Sequence, residues 1–127
     1  MFTFILFVNL SLVDSFYEYR HLNCNYLKQA KEQLEKSYKE GNKKIEILWR
    51  LSRVYFKWGD ISEKKIEKLK WYSKGKNIAE EMKKKFPHNA ESYFWYAVNI
   101  GRIAELKGIL NSISLAPVVK SSLEKNS

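Results

Sequence analysis

Apolar residues recur along most of this chain at spacings of three and four, which is the mark of one buried helical face. A short helix is expected over Ser15–Leu22, followed by a turn at Asn23-Cys24-Asn25. Leu27, Ala30, Leu34 and Ser37 or Tyr38 then trace a stripe on a helix over Tyr26–Glu40, and Gly41 is placed to close it in the left-handed conformation. Ile45, Leu48, Leu51 or Ser52, and Tyr55 trace the next stripe, with Gly59 as its stop. Asp60-x-x-Glu63 has the spacing of a capping box, so this carboxylate pair reads as the start of a fourth helix and not as a catalytic dyad. That helix is expected from about Ile61 to Phe86, with Ile66, Leu69, Tyr72, Ala79, Met82 and Phe86 inward, and as the longest of the chain. Pro87 ends it. Asn89 caps a fifth helix whose inward stripe is Tyr93, Tyr96, Ala97, Ile100 and Ala104, closed by Gly108. Pro117 opens a sixth that runs to Ser127.

Six helices make three hairpins, and their spacing repeats. Leu48-x2-Leu51-Ser52-x2-Tyr55 and Tyr93-x2-Tyr96-Ala97-x2-Ile100 share a pattern of large, large-small, large residues, the first-helix grammar of tetratricopeptide repeats. Ala30-x3-Leu34 and Gly75-x3-Ala79 fit the second-helix pattern. A small residue lets two helices approach, and the large ones fill the groove beside it. The expected fold is therefore all-α, a tetratricopeptide-like right-handed superhelix of about three antiparallel helical hairpins. Leu48 and Tyr93 lie 45 residues apart in the sequence, about three helical turns more than the ~34-residue repeat. No loop-forming composition falls between Ile61 and Lys85, so the extra turns must lengthen the helices.

Composition agrees with this picture and narrows the chemistry. The chain has 127 residues, 45% hydrophobic and 15% aromatic, with only 5 glycines and 2 prolines, enough apolar surface for one folded domain and too few turn formers for a β-barrel. One domain is expected over residues 16–127, preceded by an apolar segment, 1–15. Phe2–Val13 is too short to span a bilayer, and no Lys or Arg precedes it. Three readings stay open: an export signal cut before Phe16, which is preferred, an interfacial anchor, or a helix packed on the first repeat. Localisation follows that choice: exported, periplasmic or membrane-associated in the first two cases, cytoplasmic otherwise.

The formal charge is +9, from 23 basic and 14 acidic residues. Asn42–Lys85 holds 14 of the basic and 6 of the acidic residues, so the field is local. Only four cations are arginine (Arg20, Arg50, Arg53, Arg102), the residue suited to bidentate phosphate and base contacts. Solvated lysine faces are therefore preferred over nucleic-acid binding, and an anionic membrane surface is the remaining competitor. The single cysteine, Cys24, forms no internal disulfide and reads as a buried thiol near a helix end. With His21 and His88 the only histidines, no metal site and no cofactor are expected. Nucleotide-loop, zincin and serine-hydrolase motifs are absent from the sequence, so enzymatic activity is not expected.

Trp49-Arg50-Leu51, Arg53, Tyr55 and Gly59, followed by Trp95-Tyr96-Ala97-Val98, Gly101-Arg102, Ala104-Glu105 and Gly108-Ile109, resemble the tetratricopeptide-like domain of the regulator of microtubule dynamics proteins, in a short form of bacterial type. The likeness covers about Tyr26 to Lys125. It implies a non-enzymatic helical scaffold, and for animal members association with microtubules and organelle membranes. Relatives continue into further repeats, so exposed Val119 and Leu123 point to self-association through the C-terminal helix as one way to finish the stack.

On such a solenoid the first helices line a concave wall. The residues expected there are Trp49, Arg53, Phe56, Lys57, Phe94, Val98 and Arg102. Aromatic rings between cations suit a protein or peptide partner carrying acidic and apolar groups. Trp49 and Phe94 are equally readable as part of the core, and Trp95 is expected to pack. The alternative is binding of anionic lipid or nucleic acid through Lys64, Lys65, Lys68 and Lys70 of the long helix.

Overall fold

A computed structural model describes residues 8–111. Over that span the chain forms five helices and no strand, in the order α1 (Leu10–Glu18), α2 (Cys24–Lys39), α3 (Ile45–Ile61), α4 (Lys65–Lys85) and α5 (Ala90–Asn111). The expected sixth helix and residues 1–7 lie outside the described residues.

Local chemistry explains most of the boundaries. The Asn9 side chain accepts from the Leu12 amide, so α1 begins five residues before the expected Ser15. Val13 of that helix is buried and Asp14 is bound to α3, so part of the apolar N-terminal segment belongs to the packed structure. Asn23 caps α2 by accepting from the Asn25 amide. Gly41 closes it with φ +97°, the left-handed conformation that glycine adopts without strain. Asn89 accepts from the Glu91 amide to start α5, as expected, but that helix runs past Gly108 to Asn111. At 22 residues α5 is longer than the 21-residue α4.

The helices lie in two layers. Tyr55 reaches Glu35, Ser52 reaches Gly75 and Asn99 meets Ser52, so successive helices run antiparallel while α1 and α3, and α2 and α4, run parallel. One layer holds α1, α3 and α5; the other holds α2 and α4. The main core joins Val13 and Tyr17 of α1, Leu27, Ala30 and Leu34 of α2, Ile47, Leu48, Leu51 and Val54 of α3, and Ile78, Ala79 and Met82 of α4. Phe56, Leu69, Tyr72 and Leu106 form a second cluster where α5 packs.

Four expectations are corrected here. Gly59 does not stop α3; it lies inside the helix, where an added Cβ would sit 2.6 Å from Cε1 of Tyr72, so its role is close approach of α3 and α4. Asp60 does not cap α4, which starts at Lys65 with no side-chain cap, because its carboxylate is taken by the Tyr72 hydroxyl at 2.6 Å. Ile66 is exposed, since the α4 stripe runs through Leu69, Tyr72, Gly75, Ala79 and Met82 instead. The fifth stripe is rotated: Ser92, Asn99 and Leu106 are buried, with Trp95 and Tyr96 half-buried, while Tyr93, Ala97 and Ala104 face outward.

Tyrosine hydroxyls tie the helices together, Tyr55 and Tyr72 across the two layers and Tyr38 within the α2–α4 layer. Tyr55 donates to Glu35 at 2.7 Å, Tyr38 to Glu81 at 2.6 Å and Tyr72 to Asp60 at 2.6 Å. Donation to Glu81 pushes the Tyr38 phenol up to about 12, and burial followed by the carboxylate contact raises Tyr55 and Tyr72. Burial also raises Tyr17. A phenol with a raised folded value stabilises the fold fully below the free value of about 10 and loses that contribution as pH rises through its folded value. Absorbance titration of the folded chain should therefore show phenolate appearing late for these four of the 8 tyrosines. Stability by circular dichroism should fall between about pH 10 and pH 12, and less so in Tyr55→Phe. A single phenolate transition at the free value would contradict this.

Candidate functional site

The face formed by α1, α3 and α5 gathers an unusual share of the chain's strong ionic chemistry. The sequence has four arginines and two aspartates, Asp14 and Asp60, and all six lie along this face. Each aspartate is in the layer for a positional reason. Asp14 follows the buried Val13 on α1 and meets α3 across the layer; Asp60 lies one turn beyond Phe56 at the C-terminal end of α3, opposite α5.

Asp14 holds Arg50 in a bidentate pair, Nε at 2.8 Å and Nη2 at 2.9 Å, and the Arg50 hydrogen bond draws the carboxyl below its ordinary value. Arg53 shares the same carboxylate only through Nη2, at 3.5 Å. The Arg53 guanidinium stacks on the Tyr17 ring at 3.6 Å and lies 4.8 Å from the Trp49 ring, while its Nε is buried with no hydrogen-bond partner. Burial lowers its pKa from the usual arginine range. Arg20 covers Tyr17 as well, at 4.0 Å. Further along, Asp60 accepts from Tyr72 at 2.6 Å and from Arg102 Nε at 3.3 Å, and pairs loosely with Lys57 at 3.8 Å. Helix α3 joins the two ionic groups, since Arg50, Arg53, Lys57 and Asp60 follow one another on it at spacings of three and four. Cations outnumber the acids along this strip: Arg20, Arg50, Arg53, Lys57 and Arg102 lie with Asp14, Glu18, Asp60 and Glu105.

The residues expected on the wall occupy different environments. Trp49 is half-buried beneath Arg50 and Arg53. Phe56 is buried between Tyr72 and Trp95 and belongs to the core, which is a correction: its ring fills the space where α5 meets α3 and α4. Lys57 and Arg102 both approach its ring, at 5.4 and 5.3 Å. Val98 packs half-buried on the second cluster. Phe94 is exposed and meets Trp95 edge-on at 4.9 Å. Asp14 and Tyr17 carry no local signal in the sequence, whereas Asp60 reads there as a helix cap and Tyr72 as a core position. The available signal is the scarcity of aspartate, since only Asp14 and Asp60 among the 14 acidic residues have the short side chain that holds a carboxylate close to its helix.

The alternative basic surface is also reshaped. Lys68 is spent on the C-terminal end of α3, donating to the Gly59 and Asp60 carbonyls at 3.1 and 3.0 Å. Lys64, Lys65 and Lys70 are exposed. Cys24 is exposed in the first turn of α2, not buried as expected, because Leu27 and not the thiol turns into the core. Among the described residues no group of three or more His, Cys, Asp or Glu is placed to hold a metal ion, and no helix is long and apolar enough to cross a membrane.

Residues 13–126 match the family model described as regulator of microtubule dynamics protein 1-3. The chain is 34% identical over 83 residues to regulator of microtubule dynamics protein 2 of Mus musculus, covering 65% of this chain and 20% of that protein. It is 38% identical over 80 residues to regulator of microtubule dynamics protein 3 of Xenopus laevis, covering 63% and 17%. It is 31% identical over 80 residues to regulator of microtubule dynamics protein 2 of Homo sapiens, covering 63% and 20%. The matched region thus spans about a fifth of the length of these relatives. No solved structure matches the chain. With the matched segment running from the buried Val13 through all five described helices, this chain belongs to the regulator of microtubule dynamics protein family.

Proposed function

We propose that the chain is a non-enzymatic protein-interaction module, a tetratricopeptide-like stack of helical hairpins whose α1–α3–α5 face receives an acidic segment of a partner in a microtubule-related assembly. The partner class comes from the names of the relatives; the docking face comes from the geometry. The observation that carries the reading is Arg53. Its guanidinium is oriented by Tyr17 and Trp49, yet it has only a 3.5 Å share, through Nη2, of a carboxylate already held bidentately by Arg50. A face with more cations than carboxylates favours a partner that supplies them. Trp49, beneath Arg50 and Arg53, and the exposed Phe94 of α5 add apolar area.

Co-sedimentation of the full chain with assembled microtubules tests this directly. Arg102→Gln and Arg53→Gln should each weaken pelleting, and the pair together by about tenfold or more. Asp60→Asn, which keeps an oxygen for the Tyr72 hydroxyl and removes the internal competitor of Arg102, should hold or strengthen it. Arginines with a purely structural role would lose pelleting in all of these variants in step with lost helicity. Equal pelleting by the arginine variants and the parent overturns the reading. Loss confined to Lys70→Glu and Lys74→Glu, which flank Trp71, would move the contact to the lysine surface of α4.

A further inference from the structure

Beside one end of the α1–α3–α5 face, where the α1–α2 turn and the first turn of α2 meet the C-terminal end of α3, lies a cleft of about 370 Å³, lined by Arg20, His21, Cys24, Leu27, Lys57 and Ile61. Three elements build it. After α1 ends, the chain reverses in a tight turn closed by the Leu22 amide on the Tyr19 carbonyl at 3.0 Å, which carries Arg20 and His21 to the rim. The first turn of α2 brings Cys24 to one wall and Leu27 to the floor. Lys57 and Ile61, one turn apart at the C-terminal end of α3, complete the opposite wall.

Its chemistry is split between an apolar floor and a cationic rim. Leu27 is only 2% exposed, whereas Ile61 is 54% exposed and Leu22 and Tyr19 of the adjoining turn are 67% and 53% exposed. This end of the molecule therefore leaves aliphatic and aromatic surface to water. Arg20 is fixed by its stack on Tyr17 and by Nη1 donating to the Tyr17 carbonyl at 2.7 Å. Lys57 has a 3.8 Å pair with Asp60 Oδ2 as its restraint, and among the described residues no carboxylate lines the cleft. The acceptor end of α3, which would repel an anion, is already covered by Lys68 and by Ser62 donating to the Trp58 carbonyl at 2.7 Å. The volume is at the small end of ligand sites and gives room for one large side chain.

We propose that this cleft seats an apolar side chain of an acidic peptide, with carboxylates beside that residue held by Arg20 and Lys57. The proposal rests on the reading that the α1–α3–α5 face receives an acidic partner, and it adds to that face a pocket in which one apolar side chain is enclosed.

The exposed thiol of Cys24 makes the test direct. The full chain is equilibrated with mixed disulfides of three short peptides, Glu-Leu-Glu, Glu-Gly-Glu and Lys-Leu-Lys, each on the same thiol linker, and capture at Cys24 is read by intact mass. Glu-Leu-Glu should be captured about tenfold over either of the others. That preference should vanish in Ile61→Glu, a substitution at an exposed position, and separately in Arg20→Gln with Lys57→Gln. It should persist in Arg102→Gln, which weakens microtubule pelleting on the reading above. Equal capture of the three peptides, or a preference that survives Ile61→Glu in a normally helical protein, overturns the proposal. Equal capture alongside lost pelleting in the arginine variants would sink the pocket and leave the face; selective capture with unchanged pelleting would do the reverse.

Discussion

Valine at Gly75 should destabilise this protein by about 3 kcal/mol or more, lowering the midpoint of thermal unfolding by roughly 10 °C or more. Gly75 lies where α3, α4 and α5 meet. A Cβ there would stand 2.5 Å from Oδ1 of Asn99 and 2.8 Å from its Cγ and Nδ2, and Asn99 cannot retreat freely. Its Nδ2 donates to the Trp95 carbonyl at 2.9 Å and to Ser52 Oγ at 3.3 Å, while Ser52 donates to the Gly75 carbonyl at 2.8 Å. All three residues are buried, so displacing the amide breaks hydrogen bonds that water cannot replace. The glycine ordinarily weakens a helix by about 1 kcal/mol; here close approach outweighs that cost. A double-mutant cycle gives the decisive reading. Asn99→Ala removes every atom named in the clash, so Gly75→Val with Asn99→Ala should be less destabilised than the sum of the single changes by at least about 1 kcal/mol. Additive effects would show that the junction is not tight.

Leu48→Ala should cost about 3–4 kcal/mol in denaturant unfolding, and Ile66→Ala less than about 0.5 kcal/mol. Both side chains sit on apolar stripes read from periodicity, yet Leu48 is 0% exposed and Ile66 is 49% exposed. Truncating Leu48 leaves a void in the main core cluster, which fixed helices cannot collapse to fill. Truncating Ile66 removes area that water already covers. Similar costs at the two positions would mean that α4 is rotated from the orientation described.

These contrasts show how much of the molecule was legible in its sequence. The α2 and α3 stripes were readable because their polar and apolar faces are distinct, so the 3.6-residue period selects one orientation. The α5 stripe was not, because apolar residues occur all around that helix. Periodicity there favours Tyr93, Ala97 and Ala104, whereas Asn99 turns inward because Ser52 offers a hydrogen-bond partner and Gly75 offers room. The same logic governs the candidate face. Trp49, Arg53, Lys57 and Arg102 were recognisable as cations and rings at helical spacing. Asp14 lies 36 residues from Arg50 in sequence, so no local pattern could pair them, and Phe56 could be assigned to the core only once Trp95 was seen against it.

The amino-acid pattern by itself determined that the chain is helical, where Gly41, Pro87 and Asn89 punctuate it, and which faces of α2 and α3 are buried. Each depends on interactions within a turn or two of the same helix. Only the tertiary structure decided that Asp60 serves Tyr72 and Arg102 instead of a helix start, that Gly59 and Gly75 exist for close contact, and that the arginines lie in one strip. Those outcomes depend on which distant side chain reaches a group first, and a buried polar group takes the partner that satisfies it over the one nearest in sequence.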